Sequence, residues 1–310
     1  MVKGRFAPSP SGRMHLGNLC SALLAWLSVR SQGGSMLLRM EDLDPDRCKE
    51  EYAAQVARDL EWLGLDWDEG YGAGGPNGPY RQSERSGIYA AAFERLNGEG
   101  LVYPCYCTRA ERLAASAPHP GEGEAVYSGL CRRRTPEELA GLARTRRPAW
   151  RVAVPDREIS FVDGLQGPVR EELTRECGDF IIRRSDGVYA YQLAVTVDDG
   201  LMGVTEVVRG LDLLSSTPRQ IWLLEELGFA VPGYIHVPLL LAPDGRRLSK
   251  RDGDMDLSVL REKKTSRELT GFLAFQCGLL PSPEPISPKE LVPIFSWQKV
   301  KRESMLVTNC

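Results

Sequence analysis

The stretch that decides the fold lies at the N-terminus, where residues 2–18 read VKGRFAPSPSGRMHLGN. The first five residues predict a short strand, and the two prolines and the glycine of PSPSG then require the chain to turn. An apolar helix is expected from about Gly17 to Arg30, ending before Gly33. This order of strand, loop and helix is typical of α/β folds, in which ligands bind beyond the carboxyl ends of parallel strands.

The next segment repeats this order. Met36 to Met40 predict a second strand, and Asp44 followed by Pro45 is typical of a helix N-cap and first turn. Gly64 stands where a C-terminal cap belongs. One apolar face supports this helix: Ala53, Val56, Ala57, Leu60 and Leu63. The alternation of strands and helices predicts an α/β protein with a doubly wound parallel sheet.

The middle of the chain has a different amino-acid composition. Residues 101–179 contain the close cysteine pairs, a Gly/Pro/Glu-rich stretch and an arginine cluster, and we interpret them as an insertion between two halves of the sheet. Strands are predicted again at 180–182, 188–197, 204–208 and 234–241, with a helix that begins near Ser216. The predicted organisation is a first half of the core at 1–100, an inserted subdomain at 101–179, the second half at 180–252 and a mainly helical C-terminal region at 253–310.

Composition places the chain among ordinary globular proteins. Its 310 residues are 42% hydrophobic and carry a net charge of −3, which argues against a protein that coats nucleic acid without specificity. No run approaches 18 apolar residues, and the N-terminus lacks the apolar core of a signal peptide, so neither a membrane span nor secretion is expected. Eight cysteines are too few for a disulfide scaffold, which indicates a reducing compartment and predicts a cytoplasmic location.

One basic segment departs from the overall charge balance. Residues 132–151 contain seven Arg and only two Glu. Such a cluster is either a solvated helix with Arg-rich edges or a surface that contacts phosphates. In the second interpretation, Arg109 and Arg112 extend the surface.

Two short motifs have the chemistry to bind a nucleotide. His15, Gly17 and Asn18 lie where the first loop enters a helix, and the positive end of a helix favours phosphate. Ser249 and Lys250 follow a turn near the end of the second half, and a lysine there would neutralise charge on a leaving pyrophosphate. Each motif alone has an ordinary explanation, a structural hydrogen bond for the histidine and an exposed basic loop for the lysine.

The spacing of three cysteines indicates a metal site. Cys105, Cys107 and Cys131 would supply three thiolates suited to tetrahedral zinc, and the alternative is that they are reduced, buried cysteines. From chemistry alone, His119 is the better fourth ligand, because a tyrosine must first lose a proton with a reference pKa of about 10. The other cysteines are expected to be structural: Cys20, Cys48, Cys177, Cys277 and Cys310.

Taken together, the two nucleotide motifs resemble those of class I aminoacyl-tRNA synthetases, which share a Rossmann-like catalytic core. Within that class the chain is similar to glutamyl-tRNA synthetases. The resemblance rests on four blocks that occur in family order over most of residues 2–252: Arg5-Phe-Ala-Pro-Ser-Pro-Ser-Gly, Leu38-Arg-Met-Glu41-Asp-Leu-Asp44, Val197-Asp-Asp-Gly-Leu-Met-Gly and Val208-Arg209-Gly.

Other features resemble the shortened paralogue family, the glutamyl-Q tRNA(Asp) synthetases. About 58 residues follow Asp252, where glutamyl-tRNA synthetases continue into a large anticodon-binding region, so no such domain is expected here. Val195 stands where the full-length enzymes usually have Asn. The paralogues also carry Cys-x-Cys followed by Tyr-x3-Cys, which implies Tyr127 as the fourth ligand of one structural zinc ion in place of His119.

The resemblance also implies roles for the site residues. Arg5, Ala7, Ser9, Glu41, Tyr191 and Arg209 would bind glutamate, with Glu41 on the ammonium group. His15, Gly17, Asn18, Ser249 and Lys250 would bind ATP, and His15, Asn18 and Lys250 would act in catalysis. The family often has another residue at the Asn18 position. Without the family context, Glu41 would be read as part of a salt bridge, and Arg209 as the partner of Asp198 or Asp212.

The implied reaction is activation of L-glutamate by ATP with Mg²⁺, followed by transfer to the queuosine base in the anticodon of tRNA(Asp). The arginine cluster and the zinc module would then contact the anticodon arm. No membrane partner and no oligomer are implied, and a monomer is expected. The competing hypotheses are a shortened synthetase that charges a tRNA 3′ end, a small nucleotidyltransferase that needs no RNA, and an RNA-binding paralogue without activity.

Overall fold

A computed structural model describes residues 1–108, 126–246, 248 and 256–307. Its strands are β1 Lys3–Phe6, β2 Ser35–Leu38, β3 Glu69–Gly70, β4 Val102–Cys105, β5 Ala149–Val152, β6 Glu158–Asp163, β7 Gly167–Glu172, β8 Phe180–Arg183, β9 Glu206–Gly210, β10 Gly233–Val237, β11 Leu240–Leu241 and β12 Met305–Leu306. Its α-helices are α1 Leu16–Ser31, α2 Glu50–Leu63, α3 Ser86–Gly98, α4 Pro136–Ala143, α5 Tyr191–Leu201, α6 Thr217–Glu226, α7 Leu257–Lys263, α8 Ser266–Cys277 and α9 Pro288–Leu291.

The centre of the molecule is a five-stranded parallel sheet in the order β10-β9-β1-β2-β3. β1 is the middle strand, with β2 on one side and β9, from the far half of the chain, on the other. The predicted parallel sheet is therefore confirmed. Connections leave β1 and β9 in opposite directions, and in such sheets the crevice at this switch point is where ligands bind.

Both faces of the sheet are covered. In β2, Met36 and Leu38 belong to one buried cluster and Leu37 to the other, because successive side chains point to opposite faces. Val207 and Val208 in β9 divide in the same way. The first cluster contains α1, α2 and the C-terminal helices, and the second contains α3, α5 and α6. A sheet buried on both faces explains the nearly continuous apolar runs of its strands.

Helix α2 begins later than predicted. Asp44 does not cap it, because its main-chain carbonyl accepts the N–H groups of Arg47 and Cys48 in a turn that precedes the helix. The helix begins at Glu50, after Lys49, whose N–H donates to Pro10 in the first loop. The C-terminal cap at Gly64 is confirmed, since Gly64 has a φ of 86°. The error has a tertiary cause: the turn is held against the loop that follows β1.

The predicted strand at 188–197 is wrong. Most of this run forms helix α5, in which Leu193 through Asp199 are all buried. A short helix buried all round has no polar face to reveal its period, so the pattern did not distinguish it from a strand. Helix α5 carries two adjacent carboxylates, Asp198 and Asp199, and both are buried.

Between the two halves of the sheet, the chain forms a separate antiparallel layer. β4, β5 and β8 make a three-stranded sheet, and β6 and β7 make a hairpin of six paired residues on each strand. The strand predicted at 180–182 exists as β8, and it pairs with β5 in this layer. The division of the chain at residues 100, 179 and 252 remains a prediction.

The C-terminal region packs against helix α1. α8 meets α1 where Cys20 Sγ lies 3.0 Å from Cys277 Sγ, both buried, although 257 residues separate them in the chain. β12 pairs with β11 in parallel, which ties the end of the described chain to residues 240–241. Among the described residues, no helix is both long enough and apolar enough to span a membrane.

Candidate active site

A cavity of about 1020 Å³ lies at the carboxyl ends of β1 and β9. Nine of the residues predicted to bind glutamate or ATP line it: Arg5, Ala7, Ser9, His15, Gly17, Asn18, Glu41, Tyr191 and Arg209. Ser249 and Lys250 lie outside the described residues, whereas Leu248 before them lines the cavity. The tertiary structure thus brings together groups from both halves of the chain.

The start of α1 forms one wall of the cavity. His15 is the N-cap, its Nδ1 accepts the N–H of Gly17 at 3.1 Å, and its own N–H donates to Asn18 Oδ1 at 3.2 Å. A Cβ on Gly17 would lie 3.1 Å from the His15 ring, so glycine keeps the imidazole in place. His15 and Asn18 therefore cap the helix in addition to lining the cavity, and its N-terminal dipole faces the space available to phosphate.

Buried charges form the floor. Asp199 lies between two cations, with Oδ2 3.4 Å from Arg5 Nε and Oδ1 2.8 Å from Arg39 Nη1. Burial opposes its ionisation, but the two guanidinium groups outweigh burial and hold the pKa of Asp199 below its ordinary value. Arg39 also reaches Glu41, with Nη2 3.2 Å from Oε1. The floor is therefore a network in which positive and negative side chains alternate. This network fixes the direction in which Arg5 and Glu41 face the cavity.

Glu41 has chemistry suited to an ammonium group. It is 8% exposed and accepts a hydrogen bond from Arg39 through one oxygen. Burial raises its pKa, although Arg39 and Arg5 lie nearby. A ligand cation would supply the further positive charge that favours the ionised carboxylate.

The opposite wall carries Tyr191 and Arg209. Tyr191 begins α5, and burial raises the pKa of its phenol, so the hydroxyl is available as a neutral hydrogen-bonding group. Arg209, near the end of β9, donates to the side chains of His236, Gln220 and Thr217. Neither Asp198 nor Asp212 lies within ion-pair distance of it, so the simple structural explanation for Arg209 is wrong.

Below the floor lies a second carboxylate. Asp198 accepts from Arg85 Nε at 2.6 Å, and from Gln82 and Tyr89 at 2.8 and 2.9 Å. It is 0% exposed. Because all three donors lie in residues 82–89, Asp198 links α3 to α5 and supports Asp199 in its place.

A second cluster fits a metal ion. The Sγ atoms of Cys105, Cys107 and Cys131 lie within 4.8 Å of one another, and Tyr127 Oη lies 3.5 Å from Cys105 Sγ and 3.3 Å from Cys107 Sγ. Ligands about 2.3 Å from a tetrahedral zinc ion stand about 3.8 Å apart, so these atoms suit such a site. His119 lies outside the described residues.

Arg151 supports the cysteine cluster. Its guanidinium carbon lies 3.7 Å from the Tyr127 ring centroid, and its Nε donates to Cys105 Sγ at 3.4 Å. Burial opposes ionisation of the Cys105 thiol, but its hydrogen bonds with Tyr127, the Cys107 backbone and Arg151 outweigh burial and lower its pKa. A nearby cation would also offset the negative charge of several anionic ligands.

The arginine cluster divides into two parts. Arg151 is 5% exposed and belongs to the cysteine cluster rather than to the surface. Around α4, in contrast, several arginines are exposed: Arg132, Arg133, Arg144 and Arg147. This exposed set, which we call the arginine face, lies on the polypeptide directly after the cysteine cluster.

Sequence reasoning did not identify the residues that hold the site together. They are Arg39, Asp198, Asp199 and His236. Three of them stand inside blocks that carried the family resemblance, Arg39 in the second block and Asp198 and Asp199 in the third. The sequence pointed less clearly to His236. It is the only histidine that falls within a predicted strand.

Known proteins are similar to this chain over most of its length. Residues 1–296 match the family described as tRNA synthetases class I (E and Q), catalytic domain. The chain is 53% identical to the glutamyl-Q tRNA(Asp) synthetase of Symbiobacterium thermophilum over 99% of this chain and 96% of that protein. It is 52% identical to the protein of the same name from Nitratidesulfovibrio vulgaris over 96% of this chain and 92% of that protein.

Glutamate–tRNA ligases are also similar. The ligase of Sulfurihydrogenibium sp. is 45% identical over 84% of this chain and 55% of that protein. The crystal structure of a glutamate tRNA ligase from Elizabethkingia meningosepticum in complex with its amino acid aligns with a TM-score of 0.84 at 29% identity. The alignment covers 99% of this chain and 67% of that chain.

Proposed function

The chain belongs to the family of class I tRNA synthetases for glutamate and glutamine, and on that premise we propose that it glutamylates the queuosine base in the anticodon of tRNA(Asp). One observation carries the choice of acceptor: the similarity to proteins named glutamyl-Q tRNA(Asp) synthetase extends over 96% and 92% of their length at 53% and 52% identity. Val195 supports it, because this position is 1% exposed and a valine donates no hydrogen bond where the full-length enzymes usually have Asn.

In the first step, a carboxylate oxygen of glutamate attacks the α-phosphorus of ATP. The bond from that phosphorus to the bridging oxygen breaks, and pyrophosphate leaves with the electron pair. Arg5 and Arg209 hold the carboxylates of glutamate, since a guanidinium binds a carboxylate through parallel N–H groups. Glu41 holds the ammonium, and Tyr191, Ala7 and Ser9 complete the pocket. Catalysis is by positioning and charge stabilisation, with no covalent bond to the enzyme.

The phosphates of ATP lie at the start of α1. His15, Gly17 and Asn18 contact the nucleotide, and Ser249 and Lys250 stabilise charge on the leaving pyrophosphate. Mg²⁺ accompanies ATP, as is general in the family. In the second step, a hydroxyl of queuosine attacks the carbonyl carbon of glutamyl-adenylate, an ester bond forms and AMP leaves.

One zinc ion is proposed at Cys105, Cys107, Tyr127 and Cys131. When bound, it cross-links β4 to the segment that follows Tyr127, which is a structural role. The arginine face lies on that segment and is proposed to contact the phosphates of the anticodon arm. A cytoplasmic location is proposed with it, because the chain carries few cysteines for its length.

The test is transfer of radiolabelled glutamate, with ATP, to three purified RNAs: tRNA(Asp) with queuosine, tRNA(Asp) without it, and tRNA(Glu). Label on the first RNA alone is expected, and nuclease digestion should recover it on the anticodon nucleoside. Label on the terminal adenosine of tRNA(Glu) would instead mean a shortened synthetase. ATP consumption with glutamate but without labelled RNA would overturn the proposed acceptor.

A charge variant tests the proposed RNA surface separately. Replacing Arg144 and Arg147 by Glu should weaken tRNA use at least about tenfold and reduce its salt dependence, while glutamate activation stays unchanged. The matched control is Arg184→Glu, an exposed arginine that pairs with Asp186. Equal effects of the two changes would remove the arginine face from the RNA-binding surface.

A further inference from the structure

Neutral groups hold the Arg209 guanidinium on three sides. Nε donates to His236 Nε2 at 3.0 Å, Nη1 to Gln220 Oε1 at 2.7 Å and Nη2 to Thr217 Oγ1 at 2.8 Å. All three acceptor residues are buried. In the described part of the chain, no carboxylate oxygen lies within 4.0 Å of this cation. Arg209 differs in this respect from Arg5, which is paired with a carboxylate.

The contact with His236 defines the tautomer of that ring. A guanidinium has only N–H donors, so His236 Nε2 must present a lone pair to Arg209. The ring proton is therefore on Nδ1, which lies 2.6 Å from Asp163 Oδ2. Burial and the adjacent Arg209 lower the pKa of His236, although the hydrogen bond to Asp163 opposes them. The imidazole is neutral, and its two nitrogens have opposite roles.

Asp163 is itself immobilised. It ends β6, and its carboxylate accepts the backbone N–H groups of Leu165 at 3.0 Å, Gln166 at 2.8 Å and His236 at 3.0 Å. Burial opposes its ionisation, but the hydrogen bond from the His236 ring and those from the backbone outweigh burial and lower its pKa. The Gln166 side chain donates to the His236 carbonyl at 2.9 Å. The β6–β7 hairpin therefore holds both the imidazole ring and the main chain of His236.

We propose that Asp163 and His236 act as a positioning pair that aims the Arg209 guanidinium at a carboxylate of glutamate. The inference rests on the proposed function, because it takes Arg209 as part of the glutamate pocket. A carboxylate in direct contact with Arg209 would compete with the substrate for its N–H groups. An imidazole held by a carboxylate also orients the guanidinium, and because the imidazole is neutral it leaves the positive charge of Arg209 for the ligand.

The charges around the cavity support this arrangement. In the floor, Arg5 and Arg39 are balanced by Glu41 and Asp199. Among the residues that the structure describes, Arg209 contacts no carboxylate directly, and Asp163 lies on the far side of the His236 ring. Glutamate carries two carboxylates and one ammonium, a net charge of −1, so its binding can bring a carboxylate into direct contact with Arg209. An amino acid without a side-chain carboxylate would leave the cation buried and unpaired, which is costly.

The first test separates positioning from general damage. His236→Leu removes the acceptor, whereas His236→Gln places an amide oxygen near the position of Nε2. In glutamate-dependent ATP–pyrophosphate exchange, His236→Leu is expected to raise the KM for glutamate at least about tenfold, with the KM for ATP changed less than about twofold. His236→Gln should recover most of the loss. An unchanged KM for glutamate in His236→Leu would overturn the inference.

The second test is a measurement on the wild-type protein, and a variant serves only to assign its signals. The chain has three histidines, so ring ¹⁵N–¹H correlation spectra of the wild-type protein resolve each of them. One ring, absent from the spectrum of His236→Gln, should show the Nδ1–H tautomer at neutral pH. The Nε2–H tautomer or a charged ring there would overturn the inference. If wild-type protein shows no glutamate-dependent exchange, the proposed function fails instead, whatever the spectrum.

Discussion

Arg39 and Asp199 form an ion pair in the floor of the cavity. Arg39 Nη1 lies 2.8 Å from Asp199 Oδ1, and the side chains are 0% and 6% exposed. Because Asp199 also faces Arg5, one carboxylate holds two cations whose mutual repulsion would otherwise be strong at low dielectric.

Replacing Asp199 should therefore destabilise the protein. Asp199→Asn leaves two buried guanidinium groups near a neutral amide, and we expect a loss of about 3 to 5 kcal/mol in the free energy of unfolding, measured by urea denaturation. Asp186→Asn is the control, because it removes an ion pair to Arg184 that is about half exposed and is worth less than about 1 kcal/mol. Equal losses in the two variants would contradict the importance of the buried pair.

Replacing Glu41 should affect the substrate and not the fold. Glu41→Gln keeps the shape but loses the charge, so the KM for glutamate should rise about 10- to 100-fold in pyrophosphate exchange, with stability unchanged or higher. Since burial raises the pKa of Glu41, wild-type protein should bind glutamate better as the pH rises through that pKa. The variant should lose this dependence. An unaltered glutamate dependence would exclude the ammonium contact, and Glu61→Gln, exposed on α2, is the control.

Glu171 predicts a pH dependence of stability. Burial, together with Glu176, raises the pKa of Glu171 to about 7, although Arg219 opposes this. A carboxyl whose pKa is raised on folding costs stability as the pH rises from about 4.5 to about 7, because only the unfolded chain ionises freely there. Glu171→Gln should thus stabilise the protein by about 1 to 3 kcal/mol at pH 8 and by little at pH 4.5.

Urea denaturation at both pH values measures this difference. Glu158→Gln on the neighbouring strand is exposed and should change stability by less than about 0.5 kcal/mol at either pH. A gain for Glu171→Gln that is the same at pH 4.5 and pH 8 would show that Glu171 does not titrate in this range.

The cysteine cluster predicts a ranking of zinc affinities. Tyr127→Phe removes a proposed ligand whose Oη also accepts the N–H of Cys131 at 2.9 Å, so zinc should be lost to a chelator at least about tenfold faster. His119→Ala should have no effect. Metal content after dialysis and the rate of transfer to a chromophoric chelator measure both. The reverse ranking would assign the fourth ligand to His119.

Replacing Lys250 should reduce catalysis without weakening glutamate binding. Lys250→Ala should slow ATP–pyrophosphate exchange by about 10² to 10³, the range for removing one group that stabilises developing charge. The KM for glutamate should stay the same. Lys263→Ala, exposed in the last turn of α7, is the control for removing a surface charge nearby in the chain. Normal exchange in Lys250→Ala would remove Lys250 from the mechanism.

Local signals explain which elements were predicted correctly. The strand that begins near Lys3, the loop with two prolines, the cap at Gly64 and the apolar face of α2 depend on residues close together in the chain. Two predictions were wrong. The helix at Tyr191–Leu201 was predicted as a strand, because burial on most sides leaves it no clear polar face. Helix α2 was predicted to begin at Asp44, but it begins after Lys49, whose N–H donates to Pro10.

The sequence by itself determined the parallel α/β architecture, the family and nine of the residues that line the cavity, because strand and helix periods and short motifs are local properties. The tertiary structure alone decided how those side chains are held. Asp199 reaches Arg5 across 194 residues, and Asp163 reaches His236 across 73. Pairing of buried charges depends on distances of about 3 to 4 Å between distant segments, and such distances arise only when the sheet and its insertion are packed together.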